Sequence, residues 1–410
     1  MSSGSIACGI AGQWVLLTAI GPGADTDAYF AALVLPQVLL AVVAGPLLNV
    51  LVPLLSTVDA AERRRTGWLL VAALGSASAL ATLILAVLAP TWVPLTIPGF
   101  AESQLALTVM LVRLQMLASA LSVIALVLSA AAQSAGRFVR VESATLAGSM
   151  LGLGLTIVLV PGMGVVAAAW AGIARVIVQG AIIVPLLGLP RCGHGAWELA
   201  RRAWSGMKPL IVSGALTKTD PLIDRVLLSL APGGMLSLFQ LAQGLFAAAT
   251  EVVNRSWIAP ALPALARDAT GDPAAYRSRL RRLLVMTTVA LFAAIAVLIV
   301  AGQELLRLVL EYGHVSADDI TQLWWILLGL SGVLVGASIG QIGASGFYAR
   351  GDTATPARLA MVSFACFAPL KVAAFYGFGV VGLVGACSGY YLTNALALLW
   401  LLRRDARRAT

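Results

Sequence analysis

The chain has 410 residues, of which 60% are hydrophobic and 11% are charged, and its mean hydropathy is +0.94. So much apolar surface excludes a soluble globular domain and predicts a helical protein that crosses the membrane many times. The formal net charge of +9 comes mainly from arginines in the connections between apolar segments. It therefore indicates membrane topology and gives no reason to expect nucleic acid as a partner.

Twelve apolar segments follow one another and are predicted to be membrane-spanning helices. Their approximate ranges are 5–22, 26–56, 67–96, 104–134, 140–160, 164–188, 208–231, 234–264, 282–310, 320–348, 356–376 and 379–402. The first begins almost at residue 1 without a basic leader, so we expect a retained helix. Prolines predict kinks in the second and eighth segments, at Pro36, Pro46, Pro53, Pro260 and Pro263.

The connections alternate in charge along the chain. Arginines follow the second, fourth, sixth, eighth, tenth and twelfth segments, whereas the connections after the first, third and ninth segments carry acidic residues. Because basic connections stay in the cytoplasm, both termini are predicted to be cytoplasmic. An even number of spans agrees with that orientation.

The two halves of the sequence resemble each other. A glycine-rich stretch from Val160, VPGMGVVAAAWAG, is matched by FYGFGVVGLVGACSG from Phe375, and each is predicted to form a tight glycine turn that enters the last span of its half. VPLLS from Val52 is matched by LPALA from Leu262. We expect an all-α membrane protein of two six-helix bundles, 1–189 and 208–410, related by a pseudo-two-fold axis along the membrane normal.

Residues 190–207 are predicted to form a cytoplasmic amphipathic linker between the halves. Trp197 and Trp204 are seven residues apart, and Glu198 is placed to pair with Arg202 on one helical face. A plain basic loop is the alternative.

Charged side chains inside membrane segments usually line a polar cavity or pair with each other, because a lone charge in lipid is costly. The substrate-binding candidates are Arg113, Arg175, Lys218, Arg225, Arg255, Gln115 and Gln179. The candidates for coupling or gating are Asp27, Asp220, Asp224, Glu251 and Lys371. Arginine suits phosphate groups because its planar fork donates two hydrogen bonds and stays charged. Interhelical ion pairs, or snorkelling of Lys218 and Arg225, are the alternatives.

No motif indicates an enzyme, a metal site or a cofactor. The four cysteines lack paired spacing, and the two histidines are isolated. The stretch GFYARGDTATPAR from Gly346 lacks the spacing of a phosphate-binding loop. We expect it to form a cytoplasmic turn in which residues 352–355 cap the eleventh span.

Three stretches resemble the MurJ/MviN family of lipid-linked oligosaccharide flippases. They are TDAYFAALVLPQVLLAVVAGPLLNVLVPLLS from Thr26, PLIDRVLLSLAPGGMLSLFQLAQGL from Pro221, and EYGHVSADDI from Glu311 together with the glycine-rich turn from Gly346. The resemblance implies the twelve-helix core of the multidrug/oligosaccharidyl-lipid/polysaccharide exporter superfamily in the bacterial cytoplasmic membrane. It implies that the substrate is an undecaprenyl-diphosphate-linked saccharide, either peptidoglycan lipid II or an exopolysaccharide repeat unit. Membrane lipids are the other implied partners. The resemblance does not determine the oligomeric state, and a monomer is compatible with it.

Certain positions differ from the family pattern. Family arginines that face the diphosphate correspond here to Gly12, to Leu40 or Ala41, and to Ala242 or Gln243. The family's sodium site aligns with Asp224, Phe367 and Lys371, so the resemblance implies that Lys371 replaces the sodium ion and pairs with Asp224 or Asp220. A multidrug or small-solute antiporter on the same scaffold is the main alternative function, and a transport-inactive scaffold is another.

Overall fold

The computed structural model describes residues 3–188, 196–311, 313–352 and 354–408, and these ranges are helical and contain no strand. The helices are α1 (Ser3–Ile20), α2 (Ala24–Ser56), α3 (Ala60–Val87), α4 (Ala89–Thr96), α5 (Glu102–Ser134), α6 (Phe138–Met163), α7 (Val165–Leu187), α8 (Ala196–Thr217), α9 (Asp220–Ser229), α10 (Met235–Val253), a π-helical turn (Asn254–Ile258), α11 (Ala259–Gly271), α12 (Pro273–Leu310), α13 (Ala317–Tyr348) and α14 (Ala354–Arg408).

The helices correspond in order to the predicted spans. Within the described ranges, nine helical stretches are long and apolar enough to cross a membrane, and α1 is a shorter apolar helix. The predicted third span comprises α3 and α4, the seventh comprises α8 and α9, and α14 contains the last two. The prediction of an all-helical, multi-pass membrane protein is confirmed, and the helices are consistent with twelve spans.

The seventh span is two helices instead of one. The chain leaves the helical conformation at Lys218 and Thr219, and α9 begins at Asp220. Pro221 explains the break, because its ring crowds the preceding turn and it has no N–H to donate to a carbonyl four residues earlier. The expectation that Lys218 shares one helix with Asp224 and Arg225 is therefore wrong.

The repeated glycine stretches adopt the same turn. Gly164, between α6 and α7, has φ 59° and ψ −147°, and Gly379, inside α14, has φ 62° and ψ −143°. Glycine adopts a positive φ at little cost, whereas other residues are strained there. The sequence GVV follows the same kinked backbone in both halves, so the predicted glycine turn is confirmed at both places.

The contacts divide the chain into two compact units, Met1–Ser237 and Leu238–Thr410. This boundary falls later than the predicted division, because α8 packs on α2 and α3, and α9 packs on α2 and α4. The start of the predicted linker, 190–195, lies outside the described residues. From Ala196 onwards the linker is helical, and the predicted pair of Glu198 with Arg202 is confirmed at 2.6 Å.

One face of α8 contributes to the core of the first unit. Its buried residues are Leu199, Ala200, Ala203 and Met207. The two tryptophans of α8 lie on its other side, with Trp197 70% and Trp204 50% exposed. An apolar protein-facing side opposite exposed aromatic rings fits a helix that lies at a membrane interface.

The second unit contains most of α10, the π-helical turn, α11, α12, α13 and α14. Its core includes Ile342 and Phe347 of α13 and Leu398 and Leu402 of α14. The predicted cap of α14 is confirmed, because the backbone amides of Ala354 and Thr355 both donate to Asp352 at 3.0 Å. The hydroxyl and amide of Thr355 hold the pKa of the Asp352 carboxyl below its usual value.

Candidate functional site

A cavity of about 270 Å³ lies inside the first unit, between α1, α2, α5, α6 and α7. Its α1 wall carries small residues three or four apart, which therefore share one helical face: Ser5, Cys8, Gly9 and Gly12. A Cβ atom added to Gly9 or Gly12 would meet nothing within 4 Å. At these four positions α1 presents little side-chain volume to the cavity, which leaves space there.

Arg175 of α7 is the one charged side chain among the described residues that line the cavity. It is solvent-accessible, and the described part of the chain holds no ion-pair partner for it. Close packing against α6 positions it instead. A Cβ atom on Gly152 would lie 3.2 Å from the Arg175 Cβ, and one on Gly148 would lie 2.6 Å from the Arg175 carbonyl oxygen.

Three carboxamides line the same cavity as this guanidinium: those of Gln13 on α1, Gln37 on α2 and Gln115 on α5. The Gln13 Oε1 atom is buried and has no hydrogen-bond partner in the described ranges. Such a buried acceptor costs free energy unless a bound molecule or water donates to it. The carboxamides also supply N–H donors to the cavity, and N–H donors together with a guanidinium form a donor set that binds a phosphate ester.

Hydroxyl groups complete the polar lining. Ser122, Ser149 and Thr156 each donate to the backbone carbonyl one turn earlier on their own helix, at 2.7–2.8 Å. With the hydroxyl hydrogen used in this way, each oxygen remains an acceptor towards the cavity. Acceptors of this kind suit the hydroxyl donors of a sugar.

The predicted residues of the first half separate into two groups. Arg175 and Gln115 line the cavity. Gln179, one turn beyond Arg175, donates through Nε2 to the Thr145 hydroxyl at 3.1 Å and is not part of the lining. Arg113 lies outside the cavity, because it is two residues before Gln115 and two residues are about 200° apart around a helix.

Buried charges on α9 form a separate feature. Asp224 is 4% exposed and Arg225 is 2% exposed, whereas Lys218, between α8 and α9, is exposed. None of the three guanidinium nitrogens of Arg225 has a hydrogen-bond partner in the described ranges. Asp220 starts α9 and is partly buried. The break before α9 thus separates Lys218 from these residues.

The predicted residues of the second unit are paired or buried. Arg255, in the π-helical turn, forms an ion pair at 2.5 Å with Glu251, which lies four residues earlier on the same helical stretch. Lys371 is 1% exposed, and its Nζ lies 6.0 Å from the centre of the Tyr390 ring. Its predicted pairing with Asp224 or Asp220 joins residues of the two units and stays a prediction. In the described ranges no group of histidine, cysteine, aspartate and glutamate side chains is suited to a metal ion.

Asp27, predicted as a gating residue, caps the beginning of α10. Its Oδ2 accepts a hydrogen bond from the Gly234 amide at 2.7 Å, and its Oδ1 accepts one from the Ser237 amide at 2.8 Å. Asp27 is 3% exposed. A carboxylate at a helix N-terminus satisfies amides that have no partner within the helix and complements the helix dipole.

The comparisons with known proteins agree with this architecture. A family model described as "Lipid II flippase MurJ" matches residues 16–409. The chain belongs to the MurJ lipid II flippase family. A solved structure of lipid II flippase MurJ in an inward closed conformation has a TM-score of 0.82 at 16% identity, with 97% of this chain and 86% of that chain covered.

Two transporters whose descriptions place them in the MOP superfamily share the fold. An inward-facing multidrug resistance MATE family transporter has a TM-score of 0.71 at 16% identity, covering 99% of this chain and 95% of that one. A superfamily transporter from Pyrococcus furiosus has a TM-score of 0.61 at 15% identity, covering 99% and 93%. At these identities the likeness concerns the fold alone.

Family membership gives the cavity a further meaning. The resemblance assigns arginines of other members to Gly12 and to either Leu40 or Ala41, and of these residues Gly12 and Leu40 line the cavity. The cavity is therefore the place where family members are expected to carry basic residues. In this chain the cationic side chain of the cavity is Arg175 of α7. The sequence did not single out Gln13, Gln37 or the lining hydroxyls, because isolated polar residues in apolar helices carry no periodic signal.

Proposed function

We propose that this protein flips a polyprenyl-diphosphate-linked saccharide across the bacterial cytoplasmic membrane by alternating access, with lipid II or an exopolysaccharide repeat unit as the cargo. Membership of the MurJ family supports the activity. The observation that carries the proposal at residue level is the polar cavity around Arg175. Flipping breaks no covalent bond, so the protein needs only to bind the polar headgroup while the lipid tail stays in the bilayer.

The cavity supplies groups for both parts of such a headgroup. The Arg175 guanidinium would donate to phosphate oxygens, and the carboxamides of Gln13 and Gln115 would add N–H donors beside it. The oxygens of Ser149 and Thr156 would accept hydrogen bonds from sugar hydroxyls. Asp27 would act as a gating residue, because its hydrogen bonds to α10 must break before the first turns of α2 and α10 separate.

The test is translocation in reconstituted vesicles. Fluorescent undecaprenyl-diphosphate-linked saccharides are placed in one leaflet, and their movement is followed with a membrane-impermeant quencher. Arg175→Gln should slow movement at least about tenfold, because losing a charge-assisted pair costs roughly 1.5–3 kcal/mol. Arg140→Gln is the matched control, since Arg140 is exposed at the start of α6. No movement of any such lipid in the unmodified protein would contradict the proposal.

An antiporter of drugs or small solutes is the second candidate. The likeness to a MATE family transporter, with a TM-score of 0.71, and the uncharged Gly12 and Leu40 favour it. A cationic drug, however, needs acidic groups, and the described lining carries Arg175 and no acid. Proton- or sodium-driven efflux of a cationic dye from the same vesicles, without movement of lipid-linked saccharide, would favour this candidate.

A further inference from the structure

Arg113 of α5 lies on an outward face of the first unit, away from the cavity. Its exposed neighbours one turn away on the same face are apolar: Met110, 42% exposed, and Leu117, 47% exposed. The adjoining end of α3 is equally apolar, with Ile84 49% and Val87 63% exposed. A surface of this composition in a membrane protein faces lipid, so an arginine within it needs an explanation.

Part of the explanation is a hydrogen bond to the end of α3. Arg113 Nε donates to the Ala86 carbonyl at 3.2 Å. Pro90, four residues after Ala86, has no N–H, so the proline deprives this carbonyl of its usual helical donor. Nearby, Trp92 Nε1 donates to the Leu85 carbonyl at 2.8 Å. Two side chains therefore satisfy the last carbonyls of α3.

The hydrogen bond to Ala86 uses only one side of the guanidinium. The described residues provide no partner for Nη1 or Nη2 of Arg113 and no acidic group in an ion pair with it. Arg113 thus has a free pair of parallel N–H donors. That arrangement matches two oxygens of a phosphate group.

The depth of Arg113 in the bilayer determines which leaflet's phosphate groups lie within its reach. Ala86 lies 21 residues after Arg65, the last arginine of a basic connection, and Arg113 lies 21 residues before Ser134, where α5 ends. Each interval spans about 32 Å at 1.5 Å per residue. The apolar core of a bilayer is about 30 Å thick. With the basic connections in the cytoplasm, as predicted, both helices place Arg113 at the outer headgroup level.

We propose that Arg113 binds the phosphate of a phospholipid in the outer leaflet. The acyl chains would run from this phosphate towards the bilayer centre along Ile84 and Leu117, which lie on the cytoplasmic side of Arg113 on their helices, whereas Val87 and Met110 would lie at the headgroup level. This site is separate from the cavity around Arg175, and it depends on the predicted orientation of the chain and not on which molecule is transported.

Native mass spectrometry of the full chain tests the proposal by measuring how much dioleoyl-phosphatidylglycerol the protein retains. Dioleoylglycerol, which has the same acyl chains and no phosphate, is the comparison lipid. Arg113→Ala should reduce retention of the phospholipid about tenfold, the effect of losing one charge-assisted contact, and should leave the diacylglycerol unaffected. Arg140→Ala, at the cytoplasmic end, is the matched control for charge and should retain more than Arg113→Ala.

A second variant separates lipid binding from the structural role of Arg113. In Arg113→Ala combined with Pro90→Ala, residue 90 regains an N–H that can bond to the Ala86 carbonyl. We expect thermal stability to recover while phospholipid retention stays low. Recovery of both would overturn the proposal, as would equal retention by Arg113→Ala and the unmodified chain. Displacement of phosphatidylglycerol by equimolar undecaprenyl diphosphate would also overturn it, because the site would then prefer the lipid carrier.

Discussion

The carboxylate of Asp27 accepts a hydrogen bond from the backbone amide of Ser237, 210 residues later in the chain, at 2.8 Å. A second bond, from the Gly234 amide at 2.7 Å, uses the other carboxylate oxygen. Both oxygens are buried with the side chain. The first turn of α2 is thus tied to the beginning of α10 by one acidic group, which makes this contact suitable for control by a single substitution.

We expect Asp27→Asn to lower the unfolding temperature and to change the rate of lipid translocation. The asparagine keeps one acceptor but places an NH₂ group opposite a backbone amide, so one charge-assisted bond, worth about 1.5–3 kcal/mol, is lost. Thermal unfolding in detergent and the vesicle assay measure the two effects. Asp25→Asn is the control, since Asp25 lies in the same first turn and is exposed. Equal effects of the two substitutions would contradict a capping role.

The close approach of α6 and α7 positions Arg175, and a methyl group should disrupt it. In Gly148→Ala the new Cβ would lie 2.6 Å from the Arg175 carbonyl oxygen, so the helices must separate at a cost of about 1–3 kcal/mol. Gly154→Ala is the control on the same helix, because its Cβ would meet nothing within 4 Å. We expect Gly148→Ala to lower both stability and translocation, and Gly154→Ala to be neutral or up to about 1 kcal/mol more stable.

Arg225 should be a site where stability and function oppose each other. A buried guanidinium without a hydrogen-bond partner is costly, so Arg225→Met should raise the unfolding temperature by an amount equivalent to about 1–4 kcal/mol. If the charge serves transport, translocation should fall in the same variant. Arg225→Lys keeps the charge and should not stabilise the protein. A lower unfolding temperature for Arg225→Met would mean that the guanidinium is already compensated in the folded state.

The sequence predicted the features that depend on periodicity and on residues with special backbone properties. The long apolar segments gave the spans, and the GVV repeats gave the turns at Gly164 and Gly379, because only glycine accepts a positive φ easily. The break before α9 was visible in principle as Pro221. The two-residue spacing of Arg113 and Gln115 also places them on opposite faces of one helix, although the two were predicted to share a site.

The cavity could not be predicted in the same way. It depends on glycines of α1 that face open space and on glycines of α6 that face Arg175, yet in the sequence both kinds look like ordinary helix-packing residues. The distinction requires the positions of the neighbouring helices. For the same reason the candidates chosen from the sequence included four residues of the seventh span, Lys218, Asp220, Asp224 and Arg225, whereas the polar cavity lies among α1, α2, α5, α6 and α7.

Lys371 gives a prediction about coupling. If its ammonium takes the place of a sodium ion and pairs with Asp224 or Asp220, translocation by the unmodified protein should be the same in sodium and in choline buffers. Lys371→Ala should leave a buried acid unpaired, at a cost of about 3–5 kcal/mol, and should abolish transport, whereas Lys371→Arg should retain part of it. Sodium-dependent translocation by the unmodified protein would refute the substitution of the ion by Lys371.

The proposed flippase function depends most on whether Arg175 binds the anionic part of the cargo in the cavity. Cys8 lines the same cavity and has a free thiol, so it reports the local charge once Cys192, Cys366 and Cys387 are replaced by alanine. The measurement is the rate at which Cys8 reacts with an anionic and with a cationic methanethiosulfonate. We predict faster reaction with the anionic reagent, loss of this preference in Arg175→Ala, and protection of Cys8 by an undecaprenyl-diphosphate-linked saccharide. Faster reaction with the cationic reagent, or a preference for the anionic reagent that survives Arg175→Ala, would contradict the binding of an anionic group by Arg175.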